Sequence, residues 1–119
     1  MRILLDKSVP VQVRGFLPNH TVSTAAAEGW DRLSNGALLN AVEAAGFDVF
    51  VTADQNIRHQ QNLLKRKVAI VVISTNRLTV LQTNPQSITQ AVDAATPNSY
   101  QVVNFPRPPR RRNPYPPNP

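Results

Sequence analysis

Short hydrophobic runs recur along this chain, and the segments between them carry apolar residues at helical spacing. Each run is rich in branched side chains and bounded by polar or turn-forming residues, which is the pattern of a strand. The third and fourth runs lack polar–apolar alternation, as strands do when both faces of their sheet are covered. The five predicted strands are RILL (2–5), TVST (21–24), DVFVT (48–52), VAIVVIS (68–74) and YQVVNF (100–105).

The clearest helix is predicted in the segment LSNGALLNAVEAAGF (33–47). Ser34 or Asn35 can cap its start, and Gly46 stands where a left-handed C-cap is required. The other predicted helices are residues 9–17, residues 25–28, the polar segment NIRHQQNLLKRK (56–67), and two segments after Asn76 with a break at Pro85.

Strands that alternate with helices predict an α/β fold whose sheet is mainly parallel and has four to five short strands. In such sheets, ligands bind beyond the carboxyl ends of the strands. Polar residues stand at three of these ends: Asp6 after the first strand, Thr52 and Asp54 after the third, and Ser74 and Asn76 after the fourth. We therefore expect Asp6 and Asp54 to be neighbours at one edge of the sheet.

The basic charge of the chain is concentrated near its C-terminus. The 119 residues carry a formal net charge of +6, but residues 104–119 hold four Arg, no acid and seven of the eleven Pro. Without those four charges the balance of residues 1–103 is +2, which by itself does not indicate a nucleic-acid partner. We predict one domain over residues 1–103 and a polyproline-like or disordered tail over residues 104–119.

Composition excludes several classes of protein. The chain contains no Cys, which excludes a disulfide framework, a thiol nucleophile and a thiolate metal site. The longest apolar run, VAIVVI (68–73), is far too short to span a membrane, and the charged residues near the N-terminus interrupt any signal-peptide pattern. We expect a soluble, cytoplasmic protein without a membrane partner.

A pair of carboxylates at adjacent strand ends suggests a metal site. Two such groups repel each other unless a cation lies between them, and Mg²⁺ suits this position because it takes oxygen ligands and often uses only one or two protein carboxylates. Asn35 and Asn56 can add neutral ligands, and such an ion can promote phosphodiester cleavage. The alternative is that Asp6 and Asp54 are helix N-caps, which is a common role for Asp before a helix.

Three other features have both a chemical and a structural interpretation. His59 is a candidate general base or a solvated side chain, and His20 is a weaker candidate of the same kind. Trp30 can stack on a nucleic-acid base or pack over the edge of the core. The basic run KRK (65–67) can contact phosphates or form a surface turn.

Three stretches of this sequence together resemble one protein family, the short PIN-like domains of bacteria and archaea. The stretches are MRILLDKSVP, LPNHTVSTAAAEGWDRLSNGALLNAVEAAGFDVFVTADQNIRHQQNL and VAIVVISTNR, and they cover about residues 1–80. Members of this family are predicted nucleases and toxin–antitoxin components related to the VapC ribonuclease toxins. The tail from residue 104 has no counterpart in the family.

The resemblance implies a three-layer α/β/α PIN-like (Rossmann-like) sandwich in which acids at strand ends bind Mg²⁺ or Mn²⁺ for RNA cleavage. Asp6 matches the acid that ends the first strand, and Asp54 matches the acid of the VT.D motif. Asn35 and Asn56 stand where relatives often have Asp, and Ala37 stands where many have Glu. Because divalent affinity depends on the number of ligand charges, we expect at most one weakly bound ion.

The resemblance implies a metal-dependent ribonuclease, the toxin of a toxin–antitoxin pair, whose activity is weakened by the missing acids. Its expected partners are RNA and an antitoxin protein, and a homodimer is common among PIN-type proteins. The alternative is a catalytically degenerate module that binds a protein or RNA. The basic residues expected to contact RNA are Arg58 and the tail residues Arg107, Arg110, Arg111 and Arg112.

Overall fold

The computed structural model describes residues 1–57 and 66–106, and a sheet of five parallel strands forms its centre. The strands lie in the order β2-β1-β3-β4-β5, and all four neighbouring pairs are parallel. The α/β prediction and the predicted number of strands are therefore confirmed. The strands are β1 (Arg2–Leu5), β2 (Thr21–Thr24), β3 (Val49–Thr52), β4 (Ala69–Ile73) and β5 (Tyr100–Val103).

Helices cover both faces of this sheet. The described helices are the 3₁₀ helix Val11–Phe16, α1 (Asn35–Ala44), α2 (Leu78–Leu81) and α3 (Pro85–Asp93). Ile3 and Leu5 of β1 pack with the residues of the 3₁₀ helix and of α3, whereas Leu4 between them packs with α1. Every residue of β3 and β4 is buried, which explains why their sequences lack alternation.

Helix α1 follows the sequence prediction closely. Gly46 has φ of +80°, the left-handed conformation expected just after the helix, where a residue with a Cβ is strained. Ser34 occupies the N-cap position, but its side chain makes no capping hydrogen bond. Asn35 is instead the first residue of the helix, which leaves its side chain for another role.

Two helix predictions need correction. Residues 25–29 form a hydrogen-bonded turn rather than a helix, because a single bond spans four residues (Glu28 N–H to the Thr24 carbonyl, 3.1 Å) before Gly29 turns left-handed with φ of +79°. In residues 9–17 the helix is of the 3₁₀ type, since the bond from Val13 N–H to the Pro10 carbonyl, 3.0 Å, spans only three residues.

The described core reaches slightly past the predicted domain boundary at residue 103. Phe105 is 8% exposed and packs with the core on the face covered by α3. Its N–H donates a 2.8 Å hydrogen bond to Oγ of Ser74, at the end of β4. Residues 104–106 of the predicted tail thus follow the sheet edge, and residues 107–119 lie outside the described residues.

Some predictions fall on parts of the chain that the structure does not describe. Most of the predicted polar helix over residues 56–67 is in this group, with Arg58 and His59. The four arginines of the tail, Arg107, Arg110, Arg111 and Arg112, are also outside the described residues. In the described ranges, no helix combines the length and the apolar character that crossing a membrane requires.

Candidate functional site

The candidate site lies where the order of the strands reverses. The chain runs outward from β1 to β2 and then returns to the other side of β1 to form β3, so β1 and β3 are neighbours at a topological switch point. Ligands of open parallel sheets bind in the crevice beyond the carboxyl ends of the strands at such a point. A cleft of about 340 Å³ occupies this position, and Asp6 and Asp54 both line it. The expectation that these two residues are neighbours at one edge is therefore correct.

Asp6 is held firmly at the end of β1. Its side chain is nearly buried (7% of the residue is exposed), and Oδ2 accepts hydrogen bonds from Ser8 Oγ at 2.8 Å and from Thr52 Oγ1 at 2.9 Å. No hydrogen bond of the described residues ends on Oδ1, and no buried side-chain oxygen in this part of the chain lacks a partner. Oδ1 therefore accepts no hydrogen bond from the described residues and is not completely buried.

The same two hydroxyls also hold the loop that carries Asp54. Ser8 Oγ accepts a 3.0 Å hydrogen bond from Ala53 N–H, and Thr52 Oγ1 accepts one of 3.0 Å from Asp54 N–H. Each hydroxyl thus accepts from the loop after β3 and donates to Asp6. The position of the Asp54 backbone relative to the Asp6 carboxylate is fixed by these four bonds.

Both carboxylate oxygens of Asp54 accept hydrogen bonds from the protein. Its Oδ1 accepts a 3.0 Å bond from Asn56 N–H two residues later, as a capping carboxylate does, and its Oδ2 accepts a 2.9 Å bond from Nδ2 of Asn35. A carboxylate oxygen has two lone pairs, so each can accept a hydrogen bond and still bind a cation. Asp6 is different: Pro10 occupies the N-cap position of the following 3₁₀ helix, so the N-cap interpretation of Asp6 is wrong.

Of the two asparagines predicted as metal ligands, Asn35 lines the cleft and Asn56 does not. Asn35 lines the cleft at the start of α1 and donates its amide to Asp54. Asn56 is exposed and is not among the described residues that line the cleft; it contributes its backbone N–H to Asp54. Ser74 lies at the end of β4, where it contacts Phe105 and where its carbonyl accepts a 2.7 Å bond from Gln55 Nε2.

Two charged residues of the cleft were not singled out by the sequence. Asp31 and Lys7 both line it, so the described wall carries three carboxylates and one ammonium group. Within residues 1–57 and 66–106, however, no three His, Cys, Asp or Glu side chains are grouped closely enough to hold a metal ion. The donors that Asp6, Asp54 and Asn35 can offer are oxygens, which fits Mg²⁺ or Mn²⁺ rather than a softer metal.

Trp30 connects the cleft with the core. Its ring meets the ring of Phe47 edge-on, with centroids 6.0 Å apart and planes at 79°, and the residue packs against the cluster beneath α1. The predicted packing over the edge of the core is therefore confirmed. Trp30 also lines the cleft, so the alternative interpretation as a stacking surface is compatible with its position.

Two other candidate groups have structural partners away from the cleft. Nη1 of Arg66 in the basic run donates to Oδ1 of Asn40 at 2.6 Å and to Oε1 of Glu43 at 3.1 Å, which ties this run to α1. Nε2 of His20 lies 2.6 Å from Oδ1 of Asp93 on α3. Neither Arg66 nor His20 is among the described residues lining the cleft.

Three comparisons with known proteins identify no relative of this chain. The sequence matches no protein-family model, and searches of curated proteins and of solved structures give no significant match. The fold and the site define an α/β protein with a five-stranded parallel sheet and an acidic cleft at its switch point.

Proposed function

We propose that this protein is a divalent-metal-dependent ribonuclease of the PIN-like class, with Asp6 and Asp54 sharing one Mg²⁺ or Mn²⁺ ion. The observation that supports this proposal best is that both carboxylates line one cleft at the β1–β3 switch point. The fold agrees with the class, since helices cover both faces of an all-parallel sheet. The resemblance of residues 1–80 to PIN-like domains is the second support.

The arrangement of donors suits a single ion bound with modest affinity. Oδ1 of Asp6 accepts no hydrogen bond from the described residues, and Asn35 holds Oδ2 of Asp54 in place by a 2.9 Å hydrogen bond. Two carboxylates balance the charge of one divalent cation, and phosphate oxygens and water complete its coordination in many Mg²⁺ sites. An ion bound there would stabilise negative charge on a phosphodiester and activate a water molecule. Lys7 at the same cleft is placed to bind a phosphate oxygen.

The remaining parts of the proposal concern partners. We propose that this ribonuclease is the toxin of a toxin–antitoxin pair in the cytoplasm, where an antitoxin protein would block its site. RNA is the proposed substrate, and Arg58 and the four tail arginines, Arg107, Arg110, Arg111 and Arg112, are the proposed contacts to its backbone. Such contacts add affinity without sequence preference.

The test is RNA cleavage by the purified chain in Mg²⁺ or Mn²⁺, compared with Asp6→Asn and Asp54→Asn. We expect cleavage that a chelator abolishes and that each substitution lowers by at least about tenfold, because one ligand charge is lost. Asp93→Asn is the matched control: Asp93 is exposed on α3, away from the cleft, and Asn can still accept a hydrogen bond from His20. Cleavage that persists in a chelator and in both cleft variants would refute the proposal.

A second candidate function is a non-catalytic binding module with the same fold. It is favoured by the fact that both oxygens of Asp54 already accept hydrogen bonds from the protein. Titration calorimetry with Mn²⁺ separates the two functions. The module predicts no saturable Mn²⁺ binding, whereas the ribonuclease predicts binding that Asp6→Asn weakens.

A further inference from the structure

A single turn, residues 30–33, contributes two apolar side chains and the carboxylate of Asp31 to the wall of the acidic cleft. Trp30 and Leu33 both line the cleft, and Leu33 N–H donates a 3.1 Å hydrogen bond to the Trp30 carbonyl. The turn is anchored at its start, since Trp30 N–H donates a 2.7 Å bond to the Ala25 carbonyl and the indole ring packs edge-on against Phe47. The indole is therefore fixed in place before any ligand arrives.

The two apolar side chains of this turn are partly exposed. Leu33 is 37% exposed, and Trp30, which is the single Trp of the chain, is half-buried. Single exposed apolar residues are common on protein surfaces, but an exposed aliphatic residue beside a fixed aromatic ring in a concave site provides a binding surface. This surface shares the cleft with Asp6, Asp54 and Lys7.

We propose that Trp30 and Leu33 form a base-binding subsite, in which an unpaired base of single-stranded RNA stacks on the indole while its phosphate lies toward Lys7 and the carboxylate pair. The inference rests on the proposed function and names the form of its substrate. Stacking on aromatic side chains is a common means of binding single-stranded nucleic acid, because every base has a flat π-face. Lys7 is exposed, and no salt bridge of the described residues uses it, which leaves its ammonium group for a phosphate.

The size of the cleft favours a single strand over a duplex. Its volume of about 340 Å³ is at the lower end of the range for small-ligand sites, roughly 300–1,000 Å³, which suits one nucleotide unit. In a duplex the faces of each base are covered by neighbouring base pairs, whereas an unpaired base can turn out of the strand and stack on a side chain. The subsite therefore requires an unpaired base.

The single Trp makes the proposal directly testable, because the intrinsic fluorescence at tryptophan wavelengths comes from Trp30 alone. A short single-stranded RNA is titrated into the full chain in the presence of a chelator, where the proposed ribonuclease is inactive, and a gel confirms that the RNA is uncut during the reading. We expect saturable quenching by the single strand and little quenching by the same strand annealed to its complement. Equal quenching by both forms, or none by either, would overturn the subsite.

Substitutions test the same surface without relying on fluorescence. We expect Trp30→Ala to weaken binding of a labelled single-stranded RNA by about tenfold, the scale of one stacked base, and Trp30→Phe to keep most of the affinity. Leu33→Ala should weaken binding by roughly threefold, because less apolar surface is buried against the base. Val11→Ala is the matched control, since Val11 is 52% exposed on the 3₁₀ helix and does not line the cleft. Thermal unfolding of each variant shows that the fold is retained.

The failure of this inference and the failure of the ribonuclease proposal give different results. If wild-type protein cleaves RNA and both Trp30→Ala and Leu33→Ala cleave it with unchanged KM, the subsite is refuted and the ribonuclease stands. If wild-type protein does not cleave RNA but single strands quench Trp30 saturably, the ribonuclease is refuted and the subsite stands. Folded Trp30→Phe with the same loss of affinity as Trp30→Ala would also count against stacking.

Discussion

The Thr52 hydroxyl donates a 2.9 Å hydrogen bond to Oδ2 of Asp6, joining the ends of two adjacent parallel strands. The same hydroxyl accepts the N–H of Asp54 at 3.0 Å, so one side chain contacts both carboxylate-bearing residues of the cleft. Thr52 is itself almost entirely buried, at the end of β3. It is therefore a positioning residue for the proposed site and a source of stability for the fold.

Thr52→Val should destabilise the protein by about 1–3 kcal/mol, because it replaces the hydroxyl with a methyl group of similar size and leaves Asp54 N–H without its acceptor. Urea unfolding measures the change. Thr52→Ser is the control, since it keeps the hydroxyl, and it should recover most of the lost stability. Equal stability of the Val variant and the wild type would show that water replaces the bond at no cost.

Mn²⁺ should bind at one saturable site of modest affinity, because two carboxylates balance one divalent ion. We expect Asp6→Asn to weaken this binding by about tenfold or more, whereas Asp31→Asn should change it by less than about threefold. Asp31 lines the same cleft, but no three such residues of the described ranges are grouped closely enough to hold an ion. Titration calorimetry measures the Mn²⁺ affinity of both variants. A larger loss of affinity in Asp31→Asn than in Asp6→Asn would show that the ion does not bind between Asp6 and Asp54.

Gly46→Ala should destabilise the fold by about 1–2 kcal/mol, because Gly46 has φ of +80°. A Cβ there would also lie 3.3 Å from Nη1 of Arg2, whose guanidinium is placed 4.5 Å from the centroid of the Phe47 ring. Gly15→Ala is the control: its Cβ would meet nothing within 4 Å, and Ala in a helical segment is neutral or stabilising by up to about 1 kcal/mol. Thermal unfolding measures both variants, and an equal decrease of the melting temperature in the two would show that the positive φ of Gly46 is not the cause.

Truncation after Pro106 should leave the described fold intact, because it retains the buried Phe105 and its bond to Ser74. If the four tail arginines contact single-stranded RNA, the slope of log K against log salt should become less steep by about 3 on truncation. Fluorescence anisotropy at several salt concentrations measures the slope. An unchanged slope would show that the tail arginines do not contact RNA. The truncation is placed after Pro106 because a truncation before Asn104 would also remove the buried Phe105.

The sequence predicted much of the fold because local patterns and tertiary packing agree in it. The five hydrophobic runs became the five strands to within two residues at each end, and Pro85 begins α3 as its fixed φ favours. The prediction failed for residues 25–28, where alanines favour a helix but the connection from β2 to α1 begins with a turn, which the bond from Trp30 N–H to the Ala25 carbonyl closes. A weak local preference could not override that connection.

The candidate site was predictable only in part. Asp6 and Asp54 stand out because each follows an apolar strand, and parallel strands bring such ends to one edge. Ser8 gave no comparable signal, since its role depends on a hydrogen bond to Ala53, 45 positions away. Asp31 lies in a polar loop, and its place in the cleft follows from the path of that loop.

The amino-acid sequence by itself determined the alternation of strands and helices, the parallel sheet and the edge at which the acids gather, because these follow from the spacing of apolar residues along the chain. Only the tertiary structure decided which oxygen of Asp6 accepts the two hydroxyl hydrogen bonds, which amide holds Asp54, and that Trp30 borders the cleft. The physical reason is that hydrogen bonds and cleft walls join residues distant in sequence, and their geometry exists only once the sheet and its covering helices have packed.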